Sequence, residues 1–252
     1  MLSRDLVWAL DPVTWAREAL GFDPDAWQAG VLRSDADRQL LLCSRQSGKS
    51  TIAALAGLHL ALYRPGSLVL LLSPSLRQSS ELFRKVATFY GRSQQPVGPE
   101  AESTLRLELV SGSRIVSLPG TEQTVRGFSG VDLLIVDEAS RVDDALYYAV
   151  RPMLAVSNGR LVAMSTPWGK RGFFFHEHSE GAADWHRVMI TAEQCPRISP
   201  EFLAQERAGL PEAWYRQEYE CAFNETEDSV FSYELVMGAV TSAVRPLFGG
   251  KQ

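Results

Sequence analysis

Residues 40–51 carry the feature that most restricts how this 252-residue chain can fold: L-L-L-C-S-R-Q-S-G-K-S-T. An apolar run that ends in a small-residue turn before a helix-like pattern predicts a strand, a tight loop and a helix. A phosphate-binding loop requires this context, because the loop N–H groups and the helix N-terminus point at an anion. Lys49 is then expected to reach the β- and γ-phosphates of a nucleotide, and the Ser50 hydroxyl to hold Mg²⁺.

The loop departs from the pattern G-x-x-x-x-G-K-[ST] at one position, since Cys43 stands where the first glycine is expected. A bare Gly-Lys-Ser also occurs in ordinary strand–turn–helix connections, so the segment needs support from elsewhere in the chain. If it binds a nucleotide, the contacting residues of the loop are expected to be Gln46, Ser47, Gly48, Lys49, Ser50 and Thr51.

A second apolar stretch, residues 131–136, ends in two adjacent carboxylates, Asp137 and Glu138. Side chains alternate along a strand, so these two are expected to point in different directions. Asp137 suits the coordination shell of Mg²⁺, and Glu138 suits the polarisation of a water that attacks the γ-phosphate. An acidic strand end before a helix is the alternative, and the upstream Lys49–Ser50 pair favours the nucleotide site.

Two further segments carry candidate site residues. Arg126 lies in a loop with two nearby glycines, which suits an arginine finger, although a salt bridge to the acidic strand end is an equally open alternative. Ser165 and Thr166 follow another buried strand. Because open α/β sheets bind ligands at the carboxyl ends of their strands, either hydroxyl could sense the γ-phosphate.

The sequence F-D-P-D-A-W-Q at residues 22–28 predicts the start of a helix, with Asp23 as its cap and Pro24 in its first turn. Gln28 would lie one turn into this helix. A glutamine amide can pair with adenine N6 and N7 at once, but a surface glutamine on an amphipathic helix gives the same pattern.

The arrangement of apolar runs predicts an α/β fold with a mostly parallel sheet flanked by helices. Residues 105–109 and 115–118 alternate around a Ser-Gly-Ser turn, which predicts a β-hairpin toward one edge of the sheet. Residues 91–103 are expected to form an exposed loop. Residues 200–222 predict two short helices separated at Pro211.

Composition excludes several classes of protein. The net charge of −5 argues against a protein that coats DNA through general basicity, although the charge is unevenly distributed along the chain. No apolar run reaches the roughly 20 residues of a membrane span, and the N-terminus does not resemble a signal peptide. The three cysteines are widely spaced, which suggests neither a disulfide framework nor a zinc site and fits a reducing, cytosolic setting.

The segments R-Q-S-G-K-S, L-L-I-V-D-E-A and M-S-T-P-W-G, in this order and spacing, resemble the ATPase domain of tailed-phage terminase large subunits over roughly residues 20–235. The resemblance implies an ASCE-type P-loop NTPase with Walker A and Walker B motifs. In that family the first glycine of the loop is often absent, so Cys43 fits. Arg45 and Gln46 join the nucleotide site, with Arg45 as a second candidate for the catalytic arginine.

The same resemblance assigns roles to residues outside the two main motifs. Gln28 falls in a segment similar to the family's adenine-recognition motif. Arg126 falls in a loop like the one that carries a proposed finger arginine, and Ser165 and Thr166 match the coupling motif. The implied activity is Mg²⁺-dependent ATP hydrolysis that drives double-stranded DNA into procapsids.

The implied partners are double-stranded DNA, further copies of the chain in a ring on the procapsid portal, and the small terminase subunit. The implied location is the host cytoplasm during virion assembly, away from membranes. Two other functions stay open. One is a helicase-like DNA translocase, although helicases of the DEAD-like class end the corresponding motif in S-A-T instead of S-T-P. The other is a nucleotide-gated switch that binds DNA or protein with little turnover.

Residues 1–225 are expected to form the ATPase domain, with residues 1–35 as N-terminal helices that include the adenine motif. Residues 226–252 resemble the linker that leads to a nuclease domain in the family, and we expect these 252 residues to lack that domain. The acidic residues after position 200 are scattered along apparent helices. Because two-metal cleavage needs converging carboxylates, no nuclease activity is expected.

Overall fold

The computed structural model describes residues 2–120, 125, 127–225 and 233–239, and within them eight strands form one sheet. The strands are β1 (Arg38–Cys43), β2 (Leu68–Ser73), β3 (Pro99–Glu102), β4 (Arg106–Leu109), β5 (Arg114–Pro119), β6 (Leu133–Asp137), β7 (Arg160–Ser165) and β8 (Trp185–Ile190). Across the sheet they lie in the order β3-β4-β5-β2-β6-β7-β1-β8. All neighbours are parallel except β3–β4 and β4–β5. The predicted, mostly parallel sheet is confirmed.

Helices cover both faces of this sheet. They are α1 (Leu2–Leu10), α2 (Pro12–Leu20), α3 (Ala26–Arg33), α4 (Lys49–Tyr63), α5 (Leu76–Arg92), α6 (Asp144–Val150), α7 (Gly172–Ser179), α8 (Pro200–Gly209), α9 (Glu212–Glu220) and α10 (Tyr233–Ala239). Alternate strand residues point to opposite faces. Leu41 and Leu71 therefore join a core with α2–α5, whereas Leu40 and Leu70 join a second core with α6 and α7.

The order of the central strands determines where the functional residues meet. β7 lies between β1, which leads into the phosphate loop, and β6, which ends in Asp137. Since these three strands are parallel, their carboxyl ends lie at one edge of the sheet. The loop before α4, the acidic end of β6 and the hydroxyl residues at the end of β7 are thereby brought together.

The antiparallel end of the sheet differs in part from the prediction. β4 and β5 form the predicted hairpin, but β5 also pairs in parallel with β2, and β3 is the outermost strand. Residues 99–102 were expected to lie in a loop and instead form β3. All four are exposed, so they bury no apolar side chains that would give an alternating pattern in the sequence.

The N-terminal helices α1 and α2 are separated at Asp11, and Gly21 ends α2 in the left-handed region with φ of 63°. The prediction that Asp23 and Pro24 begin the next helix was wrong. α3 begins at Ala26 after Asp25, which forms a capping box with Gln28. The three-residue spacing between a capping aspartate and a glutamine is the sequence signal for this arrangement.

The segment after the sheet confirms the two predicted helices, α8 and α9, which are separated at Pro211. Most of the predicted linker, residues 226–232 and 240–252, lies outside the described residues. None of the helices in the described ranges combines the length and apolar character needed to cross a bilayer.

Candidate functional site

The loop between β1 and α4 has the backbone shape of an anion-binding turn. Gln46 and Gly48 both adopt positive φ, 59° and 93° respectively. The φ of Gly48 favours glycine, and a Cβ added there would lie 2.7 Å from the side-chain nitrogen of Gln28 and displace it. Cys43 at the end of β1 is fully buried, and burial raises the pKa of its thiol to about 12. It is a neutral core residue, which leaves the phosphate side of the loop to the residues after it.

Four predicted residues meet where this loop approaches the end of β6. Lys49 Nζ lies 3.2 Å from Glu138 Oε1. Ser50 Oγ donates to Asp137 Oδ2 at 3.3 Å, and the other Asp137 oxygen accepts from the backbone N–H of Glu138 at 3.0 Å. The two carboxylates therefore occupy different positions, one beside the helix hydroxyl and one beside the lysine, as expected. The reason differs from strand alternation, because Glu138 follows β6 in a turn with a φ of 50°.

Asp137 and Glu138 also differ in their surroundings. Asp137 is 6% exposed, and its burial, together with the neighbouring Glu138 charge, raises its pKa to about 6, an effect that Lys49 opposes. A cation beside this carboxylate would stabilise its ionised form. The Asp137 carboxylate and the Ser50 hydroxyl are hard oxygen donors 3.3 Å apart, which is the donor set that Mg²⁺ uses together with phosphate oxygens. The residues present therefore fit Mg²⁺.

The end of β7 is joined to Glu138 by hydroxyl groups. Ser165 Oγ lies 3.5 Å from Glu138 Oε2 and 2.6 Å from Ser140 Oγ. Ser140 also donates to the backbone carbonyl of Thr166 at 2.8 Å. Ser165 and Thr166 are thus placed at the site, as predicted. Ser140 was not predicted, although it lies only two residues after Glu138.

The loop arginine contacts the C-terminal helices in this structure. Arg45 Nε lies 2.6 Å from Glu218 Oε2, and the Arg45 backbone N–H donates to the Glu218 carbonyl at 3.1 Å. Glu218 lies in α9 and is 7% exposed. The phosphate loop is therefore attached to α9 by one ion pair and one backbone hydrogen bond.

Gln28 and Arg197 both donate hydrogen bonds to the backbone of the phosphate loop. Gln28 is 1% exposed, and its side-chain nitrogen donates to the Ser47 carbonyl at 3.4 Å. Arg197 Nη2 donates to the same carbonyl at 2.7 Å, and its Nη1 lies 2.9 Å from Asp25 Oδ1. Sequence reasoning missed Arg197, because 150 positions separate it from Ser47.

The phosphate loop, Glu138, Thr166 and Arg197 border an open cleft of about 1030 Å³. In the described part of the chain, five cationic side chains line it: Arg45, Lys49, Lys85, Arg141 and Arg197. Arg141 lies with its guanidinium carbon 3.8 Å from the centre of the Trp168 ring. Lys85 lies in α5 and was not predicted as a site residue. A cleft lined by this many cations, with Glu138 as its carboxylate, suits a polyphosphate.

Arg126, the predicted finger, lies outside the described residues. Its neighbours are described only in part: Val125 is buried, and Gly127 adopts a positive φ of 109°. The role of Arg126 stays a prediction.

A family model described as terminase large subunit, T4likevirus-type, N-terminal, matches residues 40–236. A terminase large subunit of Thermus phage G20c is 28% identical over 251 residues, which cover 85% of this chain and 52% of the relative. The chain thus spans about half the length of the curated relatives it matches.

Two solved structures share the fold. An arginine-to-alanine mutant of the Thermus phage P74-26 large terminase ATPase domain superposes with a TM-score of 0.77 at 23% identity, covering 85% of this chain and 100% of that one. The large terminase of a thermophilic bacteriophage, solved in complex with ADP, gives 0.61 at 12% identity, with coverage of 85% and 52%. The family match covers more than half of the chain and shows that the chain belongs to the N-terminal family of terminase large subunits, T4likevirus-type.

Proposed function

We propose that this chain binds ATP with Mg²⁺, hydrolyses it, and uses the hydrolysis to move double-stranded DNA into procapsids. The observation that carries the proposal is the convergence of Lys49, Ser50, Asp137 and Glu138 at one edge of the sheet. Support comes from relatives described as terminase large subunits, from a neighbour described as an ATPase domain, and from complexes of the thermophilic phage terminase with ADP and ATP-γ-S.

Each residue has a separate task in this reaction. The loop N–H groups and Lys49 would bind the β- and γ-phosphates, while Ser50 and Asp137 would hold Mg²⁺, which would supply neutralisation of phosphate charge. Glu138 accepts the proton of the attacking water. In the present structure the Glu138 carboxylate pairs with Lys49 at 3.2 Å. When Lys49 turns to the phosphates, that carboxylate loses its cation and becomes available as a base.

The test is phosphate release measured with linear double-stranded DNA, with single-stranded DNA, and with portal rings added. We expect turnover to rise when duplex DNA and portal are present together. A forked duplex serves as the control, because strand separation on it would favour the helicase-like translocase. Nucleotide binding without steady-state phosphate release under any of these conditions would favour the switch and contradict the proposal.

We also propose that Arg126 acts on the nucleotide of a neighbouring subunit in a ring. The support is indirect: Arg45, the competing arginine, is paired with Glu218 of its own chain. A finger supplied by a neighbour is worth about 10³–10⁵ in rate, so an isolated subunit should hydrolyse ATP slowly. Activity per subunit is expected to increase with protein concentration, or when portal enforces the ring.

A mixing experiment tests this arrangement. Arg126→Ala subunits keep an intact site and lack the finger, whereas Glu138→Gln subunits keep the finger and lack the base. Each variant alone should be inactive, and a mixture should recover part of the activity. If the mixture stays inactive where wild-type subunits assemble, Arg126 does not act in trans and Arg45 becomes the better candidate.

Family membership supports the remaining parts of the proposal. The partners are double-stranded DNA, copies of the chain on the procapsid portal and the small terminase subunit. The place of action is the host cytoplasm during virion assembly. Residues 1–225 are the ATPase domain, and residues 226–252 serve as a linker.

A further inference from the structure

We propose that the base of the bound nucleotide stacks on Phe202, at the start of α8, and that Gln28 holds the phosphate loop instead of recognising the base. The site would then accept different purine nucleotides with little discrimination. This inference rests on the proposed nucleotide site and adds the position and the selectivity of its base end.

The first step concerns the two halves of the Gln28 amide. Its oxygen accepts from the backbone N–H of Asp25 at 3.0 Å, as the capping box of α3 requires, and its nitrogen donates to the Ser47 carbonyl. Bidentate recognition of adenine needs both amide atoms at once. Gln28 is almost fully buried, and it does not line the cleft.

The second step concerns what lies around this glutamine. Arg197 donates to the same Ser47 carbonyl and is anchored by Asp25, so two side chains support one point of the loop. A Cβ on Gly48 would meet Gln28 at 2.7 Å and Arg197 at 3.2 Å. Turning Gln28 toward a base would therefore break its hydrogen bond to the Ser47 carbonyl and its capping hydrogen bond with Asp25 at the start of α3. The side chain is therefore placed to stabilise the phosphate loop.

The third step is the distribution of polarity in the cleft. Among its described lining residues, the apolar side chains are Ile198, just before α8, and Phe202, in the first turn of α8. The other lining residues are polar, charged or glycine. Lys49 fixes the phosphate end of a nucleotide, so the flat, weakly polar base has one apolar wall available to it.

The fourth step is the state of the Phe202 ring. Phe202 is 45% exposed, and its ring centre lies 6.3 Å from that of Tyr219 in an edge-on arrangement. The ring is thus supported by α9 and still presents surface to the cleft. Stacking on an aromatic ring tolerates every base, because each base has a π-face, and the loss of such a ring weakens binding by about 5- to 150-fold.

The experiment is equilibrium binding of ADP, GDP and inorganic tripolyphosphate, with Mg²⁺, to the wild type and to Phe202→Ala, Phe202→Trp and Gln28→Ala. We expect ADP and GDP to bind the wild type within about fivefold of each other. Phe202→Ala should weaken both by about 5- to 150-fold and leave tripolyphosphate unchanged, whereas Phe202→Trp should retain affinity. Gln28→Ala should weaken tripolyphosphate as much as ADP.

Leu210→Ala provides the matched control, since Leu210 is a partly exposed apolar residue at the other end of α8 and does not line the cleft. It should leave all three affinities unchanged. The inference is overturned if Phe202→Ala leaves ADP affinity unchanged, or if Gln28→Ala abolishes a strong preference for ADP over GDP. If the wild type binds neither the nucleotides nor tripolyphosphate, the proposed function fails as well.

Discussion

Glu138 is held in an unusual way for a residue at a strand end. Its backbone φ is 50°, in the left-handed region, and its carboxylate lies between Lys49 and Ser165. Positive φ in a residue other than glycine carries a conformational cost and persists only where the surroundings enforce it. Here the turn after β6 aims Glu138 at the phosphate loop while Asp137 stays buried. Adjacent positions in the chain thus place one carboxylate beside Lys49 and the other beside Ser50.

Glu138→Gln tests this separation of roles. The amide keeps the shape of the side chain and removes the base, so we expect the turnover number for ATP to fall by about 10²–10⁴. ADP affinity should be kept or increased, because Lys49 loses a competing partner. Phosphate release and equilibrium ADP binding measure the two effects. Asp137→Asn is the contrasting variant and should weaken Mg²⁺-dependent binding. A Glu138→Gln variant that loses affinity and keeps its rate would reverse the two assignments.

At this scale the sequence predicts the residues that follow a local pattern. Lys49 and Ser50 sit in the loop motif, and the Asp137–Glu138 pair ends an apolar run. Arg197 carries no such pattern, because its contact with Ser47 depends on the fold of the whole domain. The partner of the Gln28 amide is likewise decided by the fold, since a glutamine amide can hydrogen-bond either to a nucleotide base or to a backbone carbonyl.

The N-terminal helices show how one aspartate can join two elements. Asp11 caps α2 by accepting from the backbone N–H of Val13, and it accepts from Arg33 of α3 at 2.9 and 2.6 Å. The hydrogen bonds from Arg33 are the main reason why the pKa of Asp11 lies well below its usual range, although partial burial opposes them. A carboxylate with a lowered pKa stabilises the folded chain when it is ionised.

Asp11→Asn should lower the melting temperature by about 2–4 °C at pH 7, which corresponds to roughly 1 kcal/mol. Asp11 contributes its full stabilisation at a pH above about 4, the pKa of its carboxyl in the unfolded chain. The contribution is lost as the pH falls through the lower pKa that this carboxyl has in the folded chain. The difference between the two proteins should therefore shrink below about pH 4. Thermal melts from pH 3 to 7 measure it. A gap that persists or widens in acid would contradict this account.

The matched control is Asp23→Asn. Asp23 pairs with Arg17 at 2.6 Å, but its side chain is 80% exposed. An exposed ion pair contributes little, so the melting temperature should change by about 1 °C or less. Asp23 was also the residue expected to cap α3. The sequence offers two aspartates there, and the glutamine three residues after Asp25 determines which of them caps the helix.

β3 is the strand that the sequence pattern did not predict. A strand is recognised by its buried face, and β3 has none, because Pro99–Glu102 pair with β4 at the edge of the sheet while all four side chains stay exposed. The central strands are the opposite case. β2 and β6 are buried along their whole length, and continuous apolar runs reveal them directly.

At the scale of the whole molecule, the position of β7 between β1 and β6 is the decisive feature of the topology. It could be inferred only through the family resemblance, since no local pattern states which strands are neighbours. The order places the hydroxyl groups of β7 beside both the phosphate loop and Glu138. Arg45 joins the loop before α4 to α9, and Ser165 joins β7 to Glu138.

The arrangement of acidic residues leads to a negative prediction for the whole chain. Cleavage by two metal ions needs carboxylates around metals about 3.5–4 Å apart. Within the described residues, no group of three or more metal-binding side chains converges on such a site. We expect no Mg²⁺- or Mn²⁺-dependent nicking of supercoiled plasmid by the purified chain. Nicking that is lost on replacing any one acidic residue after position 200 would overturn this expectation.

The central claim is that the cleft between the phosphate loop and β6 hydrolyses ATP, and Lys49→Ala tests it most directly. The measurement is steady-state phosphate release from Mg²⁺-ATP at high protein concentration, with thermal melts to confirm that the variant is folded. Wild type should turn over, and Lys49→Ala should lose on the order of 10²-fold or more, because it removes the cation proposed to bind the β- and γ-phosphates. Hydrolysis by folded Lys49→Ala at the wild-type rate would contradict the account.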